Sequence, residues 1–400
     1  MPATRASTRT RGRRAALVVC VVALGTAAAC GPTSSGTSVS GSSSSTSSTL
    51  AAPWQGTLIT SSLPASVQSL AAVSCATALH CWAVGSSVTT SATPSGPVIV
   101  TSTDGGATWR LQPLPPGIGY LADIACATPR ACTAVGQAGG TGVGPGVILT
   151  TTDGGTAWTS QAVPTGTTDV TAVSCRVGVR CTALGTIAGR VTTLAPRGPA
   201  GAWAPGGQLP TAASAATSLA CTDSLHCWAT AADATDLSHA VGSIDASSDG
   251  GTTWVPQVVP PGIGALNGVD CVPPATRSHG GTATCTAVGT TSTVLNATRS
   301  GQGVVLTSSG TAWTSEPVPP AVADLLDVSC GAGPCVTVGA TVGTAAQGGV
   351  VVLAPASGGS ATIWRRAATV AVALPLTGVS CVSLAACTVV GESVSGRLAA

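Results

Sequence analysis

The sequence predicts an all-β fold, a seven-bladed β-propeller of four-stranded antiparallel blades, and three observations carry that expectation. First, variants of one unit recur about every fifty residues from Leu70 to the C-terminus, most completely at 121–158 (LADIACATPRACTAVGQAGGTGVGPGVILTTTDGGTAW). Second, fourteen cysteines fall into seven close pairs, one per unit: Cys75 with Cys81, Cys126 with Cys132, Cys175 with Cys181, Cys221 with Cys227, Cys271 with Cys285, Cys330 with Cys335 and Cys381 with Cys387. Third, the two ends complement each other. The segment around Trp54 (AAPWQGTLIT) has the look of a fourth strand with no strands before it. The last unit, from Leu376, supplies strands one to three (LTGVSC, CTVVG, GRLAA) and stops. An N-terminal strand that completes the last blade would close the ring and remove the open sheet edges that invite aggregation.

From the N-terminus, residues 1–29 read as a lipoprotein signal peptide: a basic start with Arg5, Arg9, Arg11, Arg13 and Arg14, then the apolar run AALVVCVVALGTAAA up to Cys30. That run is too short for a comfortable membrane-spanning helix, which needs about twenty residues. The ending Ala27-Ala28-Ala29-Cys30 resembles a bacterial lipoprotein box, which implies cleavage before Cys30 and lipid on its thiol; the alternative is an ordinary signal peptide and a secreted protein. Residues 30–50, almost all Ser, Thr and Gly after Cys30, cannot bury enough apolar surface to fold and read as a flexible tether. Residues 51–400 are assigned to the propeller.

Within each repeat the elements follow in order. Strand one is L-x-x-V-S-C or a variant, as in Leu70 to Cys75 and Leu376 to Cys381. A short turn leads to strand two, C-x-A-V-G or a variant, and a third apolar segment such as VILTTT follows. A turn rich in Gly, Ser and Asp then reaches a Trp that opens strand four. The fourth-strand tryptophans are Trp54, Trp109, Trp158, Trp203, Trp254, Trp313 and Trp364. With no Phe and one Tyr, the core must come from Val, Leu, Ile, Ala and Trp.

Charge is sparse. Beyond the five leader arginines the chain holds eleven Arg against fourteen acids and no Lys, which excludes a nucleic-acid binder built on a basic stripe. Each cysteine pair is expected to be a disulfide joining strands one and two across their turn, within reach of neighbouring antiparallel strands. An exported protein meets oxidising conditions. The alternative, a metal held by Cys75, His80 and Cys81 or by Cys221, His226 and Cys227, is awkward for adjacent His-Cys, and the other pairs lack the histidine. His80 and His226 are read as turn residues, and no metal or cofactor is expected.

Three repeats carry Asp-Gly-Gly-x-x-Trp, with Asp104, Asp153 and Asp249 leading to Trp109, Trp158 and Trp254. Glycine supplies positive φ in such turns and the Asp side chain accepts bonds from exposed N–H groups. This pattern resembles the Asp-box (BNR) repeat of the sialidase-like superfamily. The segments HCWAVG (80–85) and HCWATA (226–231) look like the HGWAVG of photosystem II assembly and stability factor-type propellers. The resemblance implies a propeller over 51–400 and scaffolding; the Asp box itself is a folding element on enzymes and scaffolds alike.

A sialidase needs an arginine trio, a Tyr paired with a Glu, and an acid/base. Here Tyr120 lies on a blade connection, Glu316 on an outer strand and Glu392 just after a second strand, and no facing carboxylate pair is evident. No catalytic residue is assigned. Alternating topology would place Arg130, Arg176, Arg180, Arg197 and Arg277, with His80, His226 and His279, on one face. Asp123, Asp169, Asp233, Asp236, Asp324, Asp327 and Glu392 would gather on the other, with Arg299 and His239. Asp233 and Asp236 are then candidates for a partner-binding face that favours a basic partner or a cation. The leading reading is a monomeric, lipid-anchored, non-enzymatic binding or assembly scaffold on the outer side of a bacterial membrane, with a protein or glycan partner in the cell envelope. The alternatives are a sialidase-like glycan-acting enzyme and a carbohydrate-binding or adhesion module.

Overall fold

In the computed structural model the described residues are 13–21 and 63–395, except 89–94, 140–143, 198–201, 211–214, 233–240, 274–282, 292–300, 310–311, 332–333, 342–348, 354–363, 371–372 and 384–385. All regular structure among them is β. After β1 (Arg13–Val21), repeat one gives β2 (Val67–Cys75), β3 (Cys81–Ser87), β4 (Pro97–Ser102) and β5 (Arg110–Leu111). Repeat two gives β6 (Ile118–Cys126), β7 (Cys132–Ala138), β8 (Gly146–Thr151) and β9 (Thr159–Ser160). Repeat three gives β10 (Thr167–Ser174), β11 (Thr182–Ile187), β12 (Arg190–Pro196) and β13 (Trp203–Gln208). Repeat four gives β14 (Ala215–Cys221), β15 (Cys227–Ala232), β16 (Gly242–Ser247) and β17 (Val255–Pro256). Repeat five gives β18 (Ala265–Val272), β19 (Thr284–Thr290), β20 (Gly303–Ser309) and β21 (Ala312–Glu316). Repeat six gives β22 (Val322–Ser329), β23 (Val336–Thr341), β24 (Gly349–Leu353) and β25 (Arg365–Val370), and repeat seven β26 (Ala373–Ser383) and β27 (Ala386–Ser395).

Counted by sheets, the propeller has six blades, which corrects the expected seven. Repeats two to six each form a four-stranded antiparallel sheet in chain order. Repeat seven does not stand alone. Its two strands join repeat one in a single seven-stranded sheet, through the bridge Ser69↔Glu392 between β2 and β27. The sequence repeat counts hairpins, whereas a separate blade also needs outer strands, and repeat seven supplies none among the described residues. Closure is corrected as well. The segment around Trp54, assigned to the seam, lies outside the described residues, and the strand beside β27 is β1, antiparallel from Arg13↔Ser395 to Val21↔Cys387. Unpaired on that side, β27 is a sheet edge, and a Leu- and Val-rich segment suits it.

First strands ring the axis: each of β2, β6, β10, β14, β18, β22 and β26 touches the next, and β26 touches β2. Every first strand carries a bulge at the same place, four residues before its cysteine, seen as register shifts such as Leu70/Ala72, Leu121/Asp123 and Leu376/Gly378. The bulge explains the glycine of C-x-A-V-G. A Cβ at Gly85 would sit 1.9 Å from the Ser69 carbonyl oxygen and one at Gly136 2.1 Å from that of Tyr120, distances no side chain can occupy. Repeat four has Ala231 there.

The core lies between sheets. Trp158 packs with Trp82 and Ile99 of repeat one and with Leu121 and Leu149 of repeat two. Trp203, Trp254, Trp313 and Trp364 each pack in the same manner against the preceding repeat. Trp109 packs against Val390 of repeat seven. Each large ring thus joins two neighbouring repeats, the arrangement that lets a core poor in aromatics hold together.

Candidate functional site

Seven disulfides form in the expected pairs, with Cα–Cα distances of 4.0 to 4.3 Å, close to the separation of directly opposed strand residues. The merged sheet carries two of them, Cys75–Cys81 and Cys381–Cys387, so the expectation of one per blade holds per repeat and not per sheet. Disulfides in every repeat suit an oxidising, extracytoplasmic setting. No helix among the described residues is long and apolar enough to cross a membrane. Cys30 lies outside the described residues.

The turns between paired cysteines are tied by their own side chains. Thr77 accepts from the N–H groups of Leu79 and His80 and bonds His80 Nδ1 at 2.9 Å, and Asp223 does the same for Leu225 and His226. His80 and His226 are thus turn residues held by local bonds.

The three aspartate turns close in one pattern. In each, a Ser or Thr two residues earlier donates to the Asp and accepts from the second Gly N–H, as Ser102 does for Asp104 and Gly106 (both 2.8 Å). Thr151 serves Asp153 and Gly155, and Ser247 serves Asp249 and Gly251. The glycine pairs 105/106, 154/155 and 250/251 all have positive φ. The Thr253 hydroxyl and N–H hold Asp249 down to about 2. Each turn also docks on its own cysteine turn: Gly105 donates to the Leu79 carbonyl, Gly154 to Arg130 and Gly250 to Leu225.

Both turn types therefore share one face, and the expected charge split changes. Asp104, Asp153, Asp223 and Asp249 stand on the face of Arg130, Arg176 and Arg180. Asp123 and Asp327 leave the opposite face altogether and line the ring of first strands. Asp233, Asp236, Arg277, His279, Arg299 and His239 lie outside the described residues. The cysteine-turn face does carry exposed apolar tips in repeats one, three and four: Leu79 (49%), Val177 (76%) and Leu225 (50%). Exposed Arg130 stands between the first two, in repeat two.

The inner ring is the most organised polar feature among the described residues. From each repeat a side chain one or three residues before the first cysteine accepts a backbone N–H of the next repeat. Ser74 accepts from Cys126 (3.0 Å), Asp123 from Val173 (2.9 Å), Ser174 from Cys221 (3.1 Å) and Ser218 from Val269 (3.2 Å). Asp270 accepts from Cys330 (2.7 Å), Ser329 from Cys381 (3.0 Å), Asp327 from Val379 (2.8 Å) and Ser380 from Cys75 (2.9 Å). Where the nearer position is Ala125 or Ala220, Asp123 or Ser218 three residues before the cysteine takes over, so every junction is latched. Repeat seven closes on repeat one three ways: through Ser380, through Thr377 donating to the Leu70 carbonyl (2.7 Å), and through Thr388 beside Cys81 Sγ.

Each of the three latching aspartates also accepts the N–H of the residue that follows it, Ile124, Cys271 or Val328. Burial pushes Asp123 up to about 6 against the downward pull of the Val173 and Ile124 N–H groups. Asp327 is pushed up to about 8, chiefly by burial, with the charges of Asp123 and Asp270 adding to it. Burial also raises Asp270, opposed by the Cys330 N–H and the Arg176 guanidinium. Arg176 reaches from repeat three past repeat four, donating to the Cys271 carbonyl at 2.8 Å and lying 3.5 Å from Asp270. Among the described residues no cluster of His, Cys, Asp and Glu has the geometry to hold a metal ion.

The groups a sialidase-like reaction would call on lie apart. Tyr120 donates to Asp169 at 2.6 Å across the other rim of the ring, and its hydroxyl is raised by burial and by that carboxylate. Glu316 on β21 accepts from Thr307, and Glu392 lies on β27 opposite Ser69. Sequence reading missed the latches and the tie of Arg176 to Cys271 and Asp270. The signal was present, since each repeat has Ser or Asp one or three residues before its first cysteine.

No protein-family model matches the chain, and no curated protein matches it in sequence. Its fold is similar to that of YCF48 in a structure with a bound D1 peptide (TM-score 0.52, 15% identity, 83% of this chain and 93% of that one). It is also similar to virginiamycin B lyase from Staphylococcus aureus (TM-score 0.51, 9% identity, 81% and 94%). A GH74 xyloglucanase from Xanthomonas campestris aligns as well (TM-score 0.54, 13% identity, 80% and 50%). At these identities the likeness is one of fold: the chain is a β-propeller, of an architecture that serves binding proteins and enzymes alike.

Proposed function

We propose that this chain is an extracytoplasmic β-propeller, held to a membrane through lipid on Cys30, that serves as a non-enzymatic binding or assembly platform for a protein or glycan of the cell envelope. The observation that carries the reading is the arc of exposed tips Leu79, Arg130, Val177 and Leu225, set on turns pinned at both ends by a disulfide. Apolar side chains on rigid, solvent-facing turns lose little freedom on binding and add buried area to a complex. The bound peptide in the YCF48 structure supports the same use of the fold.

The test replaces Leu79, Val177 and Leu225 together by Ser. Crosslinking in the native envelope followed by mass spectrometry is expected to recover defined neighbours with the parent chain and to lose them with the variant, at unchanged melting temperature. Unchanged neighbours would overturn this surface as the binding site. Turnover of glycosides by the purified protein would replace the platform reading with an enzymatic one.

A further inference from the structure

We propose that the third-strand place of repeat seven, beside β27, is a strand-acceptor site that takes an extended aliphatic segment of a partner protein once residues 13–21 have left it. This gives the platform a kind of partner and rests on that reading, although the site is a sheet edge and not the cysteine-turn face. In repeats one to six the second strand pairs with a third strand of the same repeat. Their register is constant. The residue three past the second cysteine faces the middle of an aliphatic run, as in Val84↔Ile99, Val135↔Ile148 and Val288↔Val305. Repeat seven has β1 in that place, and the register is the same: Val390 faces Val18. Gly391 faces Leu17 as Gly85 faces Val98 and Gly136 faces Val147. The residue types agree as well. Leu17-Val18-Val19 stand where repeat one has Val98-Ile99-Val100 and repeat two has Val147-Ile148-Leu149, and those six are buried in their sheets. The place therefore selects a backbone ladder carrying consecutive aliphatic side chains. In strand addition the main-chain bonds supply affinity and the side chains supply specificity.

Attachment is what sets β1 apart from the six third strands. They follow their second strands within one repeat, whereas β1 reaches β27 only through residues 22–62 and the whole ring. Cys30 lies on that connection, and cleavage before it, as lipid on its thiol requires, leaves residues 13–21 held by pairing alone. A covalent link keeps a strand at an effective concentration on the order of millimolar, and cutting it dilutes the strand into the medium. The edge of β27 is then unpaired, and a partner strand of the same chemistry closes it.

The test uses a labelled synthetic peptide of residues 13–21 carrying Cys20→Ser, followed by fluorescence anisotropy. A companion peptide also carries Val18→Pro, which removes a ladder donor. Two forms of the chain lack β1 at the edge: the processed chain recovered from the envelope, and the refolded, unprocessed full chain with Leu17→Pro and Val19→Pro. Both are expected to bind the first peptide at least on the order of tenfold more tightly than its companion, with slowed amide exchange along β27. The unprocessed parent chain, its place filled, is expected to bind neither. Equal binding of the two peptides, or binding of neither by the folded Pro-substituted chain, overturns the acceptor site. The mass of the envelope chain tests the anchor separately: residues 1–29 still attached would sink the anchored reading, while the Pro-substituted chain alone decides the strand site.

Discussion

Repeat two and repeat seven begin alike. LADIAC and CTAVG in the one answer to LTGVSC and CTVVG in the other, both hairpins bulge at the same step, and both close with a disulfide of 4.0 Å Cα–Cα distance. Beyond the hairpin they part. Repeat two continues into β8, an aspartate turn and Trp158, and is a sheet by itself; repeat seven has neither a third nor a fourth strand of its own among the described residues and merges with repeat one. The disulfide and the bulge thus specify a hairpin and its place in the ring. The outer strands, with a Trp driven between neighbouring sheets, make that hairpin a blade.

The strongest way to break the comparison is to take the Trp from repeat two. Trp158 keeps 6% of its exposure amid the side chains of two repeats, so Trp158→Ala is expected to cost about 3–5 kcal/mol, read by denaturant unfolding. Its indole Nε1 has no hydrogen-bond partner among the described residues, so Trp158→Phe should cost distinctly less. Equal losses would mean that ring area between the sheets is not what holds the blade.

Next in size comes the disulfide. Replacing Cys126 and Cys132 together by Ser removes a short closed loop, worth about 2 kcal/mol by chain entropy. Cys381 and Cys387 close a loop of the same length, with a sequence separation of 6 in both. The entropic loss is therefore equal, and any excess at repeat seven measures how much its hairpin depends on the disulfide in the absence of outer strands. A smaller loss at repeat seven than at repeat two would contradict that dependence.

Much of this organisation was legible in the chain. The cysteine spacing fixed the hairpins and their disulfides, because strand pairing and a short turn leave little freedom to residues six apart. The glycines and Ser or Thr of the three aspartate turns announced their own hydrogen bonds. The blade count was not legible, because counting cysteine pairs counts hairpins, and whether a hairpin becomes a separate sheet depends on strands contributed from elsewhere. Asp123 and Asp327 were misplaced on an outer face for a related reason. Up-down topology assigned them to the rim of the blade connections, but both lie within first strands (Ile118–Cys126 and Val322–Ser329), just past the bulge at Ala122 and at Leu326, where they bond the next repeat around the ring. The partner of Arg176 could not have been found, since Asp270 lies two repeats away.

The smallest expected effect tests the seam itself. Ser380 accepts the Cys75 N–H at 2.9 Å, as Ser74 accepts that of Cys126 at 3.0 Å, so the two latches are chemically equal. Ser→Ala at either site removes one part-buried hydrogen bond, about 1 kcal/mol. Their surroundings differ: the Ser74 junction lies between complete sheets, with Trp158 packed across it, whereas the Ser380 junction is the one place where the chain's last repeat must find its first. Thr377 and Thr388 also hold that junction, so Ser380→Ala alone should match Ser74→Ala in global stability. Combined with Thr377→Ala, it is expected to raise exchange at Cys75 more than global stability falls, the mark of a local opening. If instead the double change lowers the unfolding midpoint of every repeat together, the merged sheet is as cooperative as the five separate ones, and the ring has no weaker seam there.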